Sequence, residues 1–350
     1  MTDRVLVTGA TGFIAQHCIL QLLEAGYEVR GTARTDGRRD EIARILAPHL
    51  SDGAAARLDV DFQVVGADLT SDVGWDAAVK DCRYVVHVAS PLPRNPPRDE
   101  NDLIVPAREG TLRVLRAARG AGVQRVVLTS SIAAIIYGVP RDKVFDESDW
   151  SNVHGRRIGA YEKSKTISER AAWDYMASIA HESDMELTAI NPGLVLGPLL
   201  CADWGTSGEL VKKILERDVP AIPDIHFACV DVRDVATAHV NAMVTPGVGG
   251  KRFICAIEDH SMMDVALILH DHLAPRGFKV PTRRLPSFVI RLMALWDGAV
   301  RLALNDLGTH QRLDNSLIKR ELAWSPRGLA EMTTSMADSM IEFGVVRSPR

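Results

Sequence analysis

Short β-branched runs alternate with amphipathic stretches of helical length over the first three-quarters of the chain, a pattern that predicts a parallel sheet covered on both faces by helices. The runs Arg4–Thr8, Tyr27–Ala33, Asp61–Gly66, Tyr84–Val88, Arg125–Ser130, Glu186–Ile190 and, more weakly, Phe253–Ala256 read as its strands, about seven in all. Between them, Phe13–Ala25 gathers Ile14, Cys18 and Leu22 on one face and stops at Gly26. Helical patterns also occupy 36–50, 105–121 and 161–181. Past residue 192 the text breaks into Pro- and Gly-punctuated segments with helices expected at 207–217, 232–244, 261–274, 286–304 and 335–343. The expected division is a doubly wound α/β domain over 1–191, completed by segments around 225–257, and a smaller, mostly helical lobe from 192–224 and 258–350 that receives the substrate.

Composition narrows the class without naming it. With 350 residues, 46% hydrophobic and 25% charged, the chain can bury a large core. Its net charge of -4, with both signs interspersed, argues against a dedicated binder of nucleic acid or of anionic membrane. The five cysteines are scattered and form no C-x-x-C pair, so neither a disulfide framework nor a zinc site is expected, and a reducing cytoplasm fits. No run approaches the ~18 apolar residues of a membrane span, and no secretory signal is visible. His270-Asp271-His272 lacks a suitably spaced third ligand and reads as a polar helix surface, so no metal is expected.

The first strand runs directly into Thr8-Gly9-Ala10-Thr11-Gly12-Phe13-Ile14-Ala15 and then a helix. Glycines at 9 and 12 let the backbone turn tightly and approach a pyrophosphate, the small Ala15 lets helix and strand pack closely, and the helix N-terminus faces the anion. This is the Rossmann-type arrangement for a dinucleotide. At the end of the second strand the chain carries Arg34 where an NAD binder usually presents a carboxylate, and a guanidinium there suits the 2′-phosphate of NADP(H). An ordinary solvated strand-end charge is the alternative. Asp68, after the third strand, has two equal readings: acceptor for the adenine amino group, or cap of its own turn.

Tyr161 alone among the tyrosines has a lysine four residues on, Lys165, at the opening of a helical pattern. That spacing puts phenol and ammonium on one face, where the ammonium is expected to lower the phenol pKa toward an acid–base catalyst's range. Upstream, Val126-Val127-Leu128-Thr129-Ser130-Ser131 ends an apolar strand in hydroxyls at the edge where ligands bind open α/β sheets. One of them is suited to hold a substrate carbonyl; simple strand termination is the lesser alternative. His87, in an apolar strand, reads as a satisfied core histidine.

Together these residues resemble the extended short-chain dehydrogenase/reductases, and within them the dihydroflavonol-reductase-like group with its cinnamoyl-type and microbial aldehyde/ketone reductases. The resemblance runs nearly full length, through Thr8-Gly9-x-x-Gly12-x-x-Ala15, Val29-Arg30-x-x-x-Arg34, Ala67-Asp68-Leu69, His87-Val88-Ala89-Ser90-Pro91, Thr129-Ser130-Ser131, Tyr161-x-x-x-Lys165, Asn191-Pro192-Gly193-x-Val195, Asp231-Val232-Arg233-Asp234 and Leu322-Ala323-Trp324-Ser325-Pro326-Arg327. It implies a catalytic Ser131, Tyr161 and Lys165. It assigns the cofactor to Gly9, Thr11, Gly12, Phe13, Ile14, Arg34, Asp68, Leu69, Val88, Ala89, Ser90, Pro192, Gly193 and Val195, together with Tyr161 and Lys165. One departure is Pro106, near the place where many of these enzymes carry an asparagine behind the lysine.

The function implied is reduction of an aldehyde or ketone, aromatic or otherwise apolar, by NADPH, or the reverse oxidation of its alcohol. Pro91, Leu92, Ile132, Trp204 and Phe227 are the candidate pocket residues, although taken singly each is better explained by packing. The small-molecule substrate is the expected partner, with neither nucleic acid nor membrane, in a monomer or homodimer. The rival readings are a nucleotide-sugar epimerase or dehydratase that retains NAD, a hydroxysteroid-type dehydrogenase and, more remotely, a non-catalytic NADP-binding sensor.

Overall fold

The computed structural model describes residues 3–347 apart from 92–96, 141, 157, 206, 219, 258, 294, 297–303 and 305. All of the expected strands form, as β1 (Arg4–Val7), β2 (Glu28–Ala33), β3 (Phe62–Gly66), β4 (Tyr84–His87), β5 (Arg125–Thr129), β6 (Glu186–Pro192) and β9 (Arg252–Cys255). They pair in parallel in the order β3-β2-β1-β4-β5-β6-β9. The order reverses direction between β1 and β4, which opens a crevice at their carboxyl ends. Val5, Val7, Val86 and Val127 point into one core layer and Leu6, Val85, Val126 and Leu128 into the other, as near-continuous apolar runs buried on both faces must.

Helix Phe13–Glu24 covers one face beside helix Val232–Val244, while Asn101–Gly120 packs on Ala160–Ile179 over the other. The first of this second pair starts at Asn101, ahead of the expected 105, and runs through Pro106. The buried stripe Leu103, Ile104, Ala107, Gly110, Thr111, Val114 carries it past the missing N–H. Gly110 is required there, because a Cβ would lie 2.7 Å from the Cβ of Leu69.

Two buried arginines show what holds the layers together. Arg30 on β2 sends its guanidinium to the carbonyls of Ala77, Ala78 and Lys80 at the end of helix Trp75–Val79. Arg125 on β5 does the same for Ala242, Met243 and Thr245 at the end of helix Val232–Val244. Each satisfies carbonyls that a helix end leaves unpaired.

The remaining strands, β7 (Leu194–Leu196), β8 (His226–Asp231) and β10 (Asp259–Ser261), form a small sheet ordered β10-β8-β7 that the sequence pattern did not predict. Two of them are three residues long, too short to show a period. A second core gathers on them: Leu196, Val211, Ile214, Cys229 and Leu269, with Met332, Met336 and Met340 of helix Leu329–Glu342, which begins ahead of the expected 335. Helices Gly208–Glu216 and Met262–Leu273 complete this layer. Asp234 ties the last segment back to the first core: its carboxylate accepts from the Arg327 N–H at 2.6 Å and pairs with the Arg327 side chain, while its carbonyl accepts from Trp324 Nε1 at 3.0 Å. No helix among the described residues is long and apolar enough to cross a membrane.

Candidate active site

The turn after β1 is shaped by its backbone. Gly9 sits at φ +70°, and a Cβ there would lie 3.1 Å from the Cβ of Ala89, at the end of β4. The Gly9 N–H donates to Thr32 Oγ1 at 3.0 Å and the Ala10 N–H to Thr32 O at 2.8 Å, locking the turn against β2. Thr8 Oγ1 accepts from the Ala89 N–H at 2.9 Å and lies 2.8 Å from His87 Nδ1, joining β1 to β4 across the crevice.

Helix Phe13–Glu24 then starts with Gly12 as its N-cap, no side-chain cap and no acidic residue in its first turn. Among the described residues the N–H groups of Phe13, Ile14 and Ala15 have no acceptor. Three free donors at an uncapped, acid-free helix start, beside a turn with no room for side chains, fit a pyrophosphate.

Arg34 stands exposed just beyond β2 and makes no hydrogen bond or salt bridge among the described residues. The nearest carboxylate in sequence, Asp36, is occupied by the Gly66 N–H at 2.7 Å. The Arg34 charge at this strand end is unpaired among the described residues, which fits a 2′-phosphate better than a bare ribose hydroxyl. Asp68 resolves partly toward its structural role: Oδ1 accepts from both the N–H and the hydroxyl of Thr70, and these bonds, with Arg34 and Arg113 nearby, hold its carboxyl below the usual range. Leu69 packs on Gly110. Val88, Ala89, Ser90 and Pro91 line the crevice edge half-buried, whereas Leu92 falls outside the described residues.

Tyr161 and Lys165 lie in the first two turns of helix Ala160–Ile179, whose start is fixed by Glu162 accepting from the Gly159 N–H at 2.9 Å. That helix packs on the short turn Ile132–Ala134, for which Ser131 is the N-cap, its Oγ accepting from the Ala133 N–H at 3.1 Å. Ser131 Oγ also reaches Pro192 O at 3.4 Å. The two serines thereby separate. Ser130 donates to the buried carboxylate of Glu169, away from the crevice, while Ser131 lies beside the Tyr161 phenol.

The electrostatics differ from the sequence expectation in one respect. Burial pushes the Tyr161 phenol above its ordinary value, the Ser131 hydroxyl pulls it back, and Glu162 pushes it further up; Lys165 is not among the groups that move it. Desolvation penalises phenolate more than its neighbours stabilise it. A phenol kept protonated is suited to donating a proton. Burial likewise lowers Lys165 to about 8, opposed by the Glu169 charge one turn along.

Asn191-Pro192-Gly193 closes the site from β6. Asn191 Nδ2 donates to the Ser131 carbonyl at 3.1 Å, and the Gly193 N–H donates to Cys255 O at 3.2 Å. Gly193 admits no side chain, since a Cβ would lie 2.4 Å from Ala228 O. Val195 is buried in the first core.

Of the candidate pocket residues, Phe227 and Ile132 are only 9% and 6% exposed and fill cores. Trp204 is half-buried, with Nε1 on Glu209 at 3.0 Å. His272 pairs with Asp338 at 2.9 Å. His87 is buried and held neutral, its pKa lowered to about 3 by burial and by the Lys165 charge; its Nε2 has no partner among the described residues. Glu169, Asn191 and Arg252 are the residues at this site that sequence reasoning did not single out for a role. Their only signal was their place beside the motifs, Glu169 one turn after Lys165 and Asn191 before Pro192.

A parallel sheet with an uncapped helix start after a glycine turn at its switch point, and with Ser131 and Tyr161 side by side, fits one class, and sequence comparison places the chain in it. The model of the NAD dependent epimerase/dehydratase family matches residues 5–256, and the chain belongs to that family, the extended short-chain dehydrogenase/reductases. Within it the chain falls in the dihydroflavonol-reductase-like group. It is 35% identical to cinnamoyl-CoA reductase CAD2 of Medicago truncatula over 73% of this chain and 76% of that one. It is 31% identical to the NADPH-dependent methylglyoxal reductase GRE2 of Saccharomyces cerevisiae over 97% of this chain and 98% of that one. The crystal structure of yeast methylglyoxal/isovaleraldehyde reductase Gre2 complexed with NADPH superposes with a TM-score of 0.80 and 27% identity, covering 98% of this chain and all of that one. A UDP-glucose 4-epimerase from Thermotoga maritima shares the fold, with a TM-score of 0.70 at 18% identity.

Proposed function

We propose that this chain is an NADPH-dependent carbonyl reductase that interconverts an aldehyde or ketone and its alcohol, with Ser131, Tyr161 and Lys165 as its catalytic residues. The observation that carries this reading is the convergence of Ser131 and Tyr161 at the carboxyl edge that also presents the uncapped helix start and the exposed Arg34. The relatives matched over most of the chain are named as reductases, which favours reduction over epimerisation. Bound NADPH would supply hydride to the carbonyl carbon.

The protein's own part is to hold and protonate. The backbone donors of Phe13, Ile14 and Ala15 bind the pyrophosphate, and Arg34 the 2′-phosphate. Ser131 and Tyr161 receive the carbonyl oxygen, which gains negative charge as the carbon is reduced; Tyr161 then gives it a proton. Lys165, as the cation, binds ribose hydroxyls. Pro192 and Gly193 offer backbone to the carboxamide.

Half-buried Pro91 and Trp204 favour an apolar or aromatic substrate over a nucleotide sugar, whose hydroxyls and diphosphate need polar partners. The protein works in the cytoplasm as a monomer or homodimer, a placement supported by its five unpaired cysteines. The test is NADPH oxidation over aryl ketones, β-keto esters, aldehydes, flavonoid-like ketones and steroids, each paired with NADH. Turnover of at least one class with NADPH well ahead of NADH is expected. Equal rates with NADH would remove the role of Arg34, and tightly retained NAD with epimerisation of a nucleotide sugar would replace the reading altogether.

A further inference from the structure

Directly behind Ser131 and Lys165 lies a buried ion pair that the mechanism above does not use. Glu169 is wholly buried on helix Ala160–Ile179, one turn beyond Lys165 and two beyond Tyr161 on the same face. Both of its oxygens are taken by donors. Oε1 accepts from Arg252 Nε at 2.6 Å and Trp173 Nε1 at 3.3 Å; Oε2 accepts from Ser130 Oγ, from Asn191 Nδ2 at 2.9 Å and from the second Arg252 nitrogen at 3.4 Å. Arg252, 8% exposed on β9, spends its other nitrogen on the carbonyls of Glu147 and Asp149, and its guanidinium lies 3.7 Å from the centre of the Trp150 ring.

We propose that Glu169 is a positioning residue, and that the Glu169–Arg252 pair both fixes the end of β5 that carries Ser131 and sets the pH window of the reductase through Lys165. This rests on the reading of Lys165 as the cation of the active site. The positional half follows from connectivity: Glu169 holds Ser130 directly, and the Asn191 amide that it anchors also donates to the Ser131 carbonyl at 3.1 Å. A carboxylate is needed, because five donors surround two oxygens and an amide NH2 would face them with no acceptor. Such a buried charge is tolerable only with Arg252 in place.

The electrostatic half follows from placement. Among the described residues, Glu169 on the same helix is the charge that acts on Lys165, Lys165 in turn acts on His87 of β4, and Arg252 of β9 is reached through Glu169; Tyr161 lies one turn back on the helix. Arg170 adds a cation on the Trp150 ring, at 4.8 Å from its centre. Helix Asn101–Gly120 presents Ile104, Ala107 and Thr111 to this layer, none of them titratable. Glu169 helps Lys165 keep its proton, and Arg252 masks part of that charge.

The two partners therefore act on Lys165 with opposite sign, which a purely structural role does not predict. The pH profile of kcat/KM for NADPH-dependent reduction is expected to fall on its alkaline side as Lys165 deprotonates near 8. Glu169→Gln should move that limb to lower pH by about one pH unit, because it removes the anion and leaves the arginine unmasked. Arg252→Met should move it upward, because the anion is left unmasked. The pair Glu169→Asp and Arg252→Lys, which keeps both charges, should lose rate while the limb stays in place. Limbs that do not move, or that move together, overturn the proposal, as does a moved limb in the charge-keeping pair should the other variants not fold. If wild-type protein reduces no carbonyl compound, or Lys165→Met retains full activity, the functional reading itself fails, and that outcome is distinct from unmoved limbs in an active enzyme.

Discussion

The proposed phosphate cradle and the proposed Ser131–Tyr161–Lys165 centre lie at one edge of one sheet, yet they are built in opposite ways. The cradle is local: residues 8–15 supply a turn, a φ of +70° at Gly9 and three unpaired N–H groups, and the outside help it needs is Thr32 on one side and Ala89 on the other. The centre is assembled from segments far apart in sequence: Ser131 after β5, Tyr161 and Lys165 on a helix, and Asn191 on β6, held by a carboxylate and an arginine 83 residues apart. Backbone donors on a helix end bind charge without moving, whereas acid–base side chains need their protonation set by what surrounds them. The lesson is that binding and chemistry can be damaged separately.

Tyr161→Phe is the largest expected separation. Turnover should fall roughly 10²- to 10⁴-fold, the usual contribution of a positioned proton donor. NADPH affinity, read by fluorescence titration, should be nearly intact; normal turnover would remove Tyr161 from the mechanism.

Acid should loosen both regions at once. His87 bonds Thr8 beside the cradle and His239 bonds Thr129 behind the centre, and burial lowers them to about 3 and about 4 from 6.5. Both are neutral when folded, so the unfolded chain takes up their protons first. Their stabilisation is complete above about pH 6.5 and is lost as pH falls toward the folded values, at roughly 2 kcal/mol per histidine by pH 5. Melting at pH 7 and pH 5 checks this, and His239→Gln should flatten the dependence.

Arg34→Ala should weaken NADPH about 10- to 100-fold, the range for loss of a charge-assisted bond, and leave NADH untouched. The ratio of the two KM values is the measurement. A parallel loss for both cofactors would mean that Arg34 supports the fold and does not read the phosphate. Gly9→Ala, which forces a Cβ onto Ala89 at positive φ, should cost about 1 kcal/mol in a melt and about tenfold in NADPH affinity, with kcat at saturating cofactor nearly preserved.

These contrasts also explain what was readable in advance. The parallel strands could be placed because strands buried on both faces are apolar runs bounded by turns, and the cradle because a glycine turn before a helix is contiguous text. The Ser130/Ser131 ambiguity could not be settled by spacing, since adjacent residues on a strand end differ only in which face they take. The contact of Ser130 with Glu169, 39 residues on, separates them. Asp68 was equally balanced for the same reason; its Oδ1 does take the turn bonds from Thr70. The small sheet β10-β8-β7 escaped because its strands are too short to carry a period, and the early start of helix Leu329–Glu342 because its first turn is recognisable only against the second core.

By itself the sequence determined the sheet, the cradle, the strand-end arginine and the helical spacing of Tyr161 and Lys165, all set by residues within a few positions of one another. Family resemblance already pointed to Ser131; only the tertiary structure decided that Ser130 turns to Glu169, that burial raises the Tyr161 phenol, and that Lys165 sits between burial and the charge of Glu169. Proton affinity is a property of surroundings, and at this site those surroundings come from β4, β5, β6, β9 and one helix, which only folding brings together.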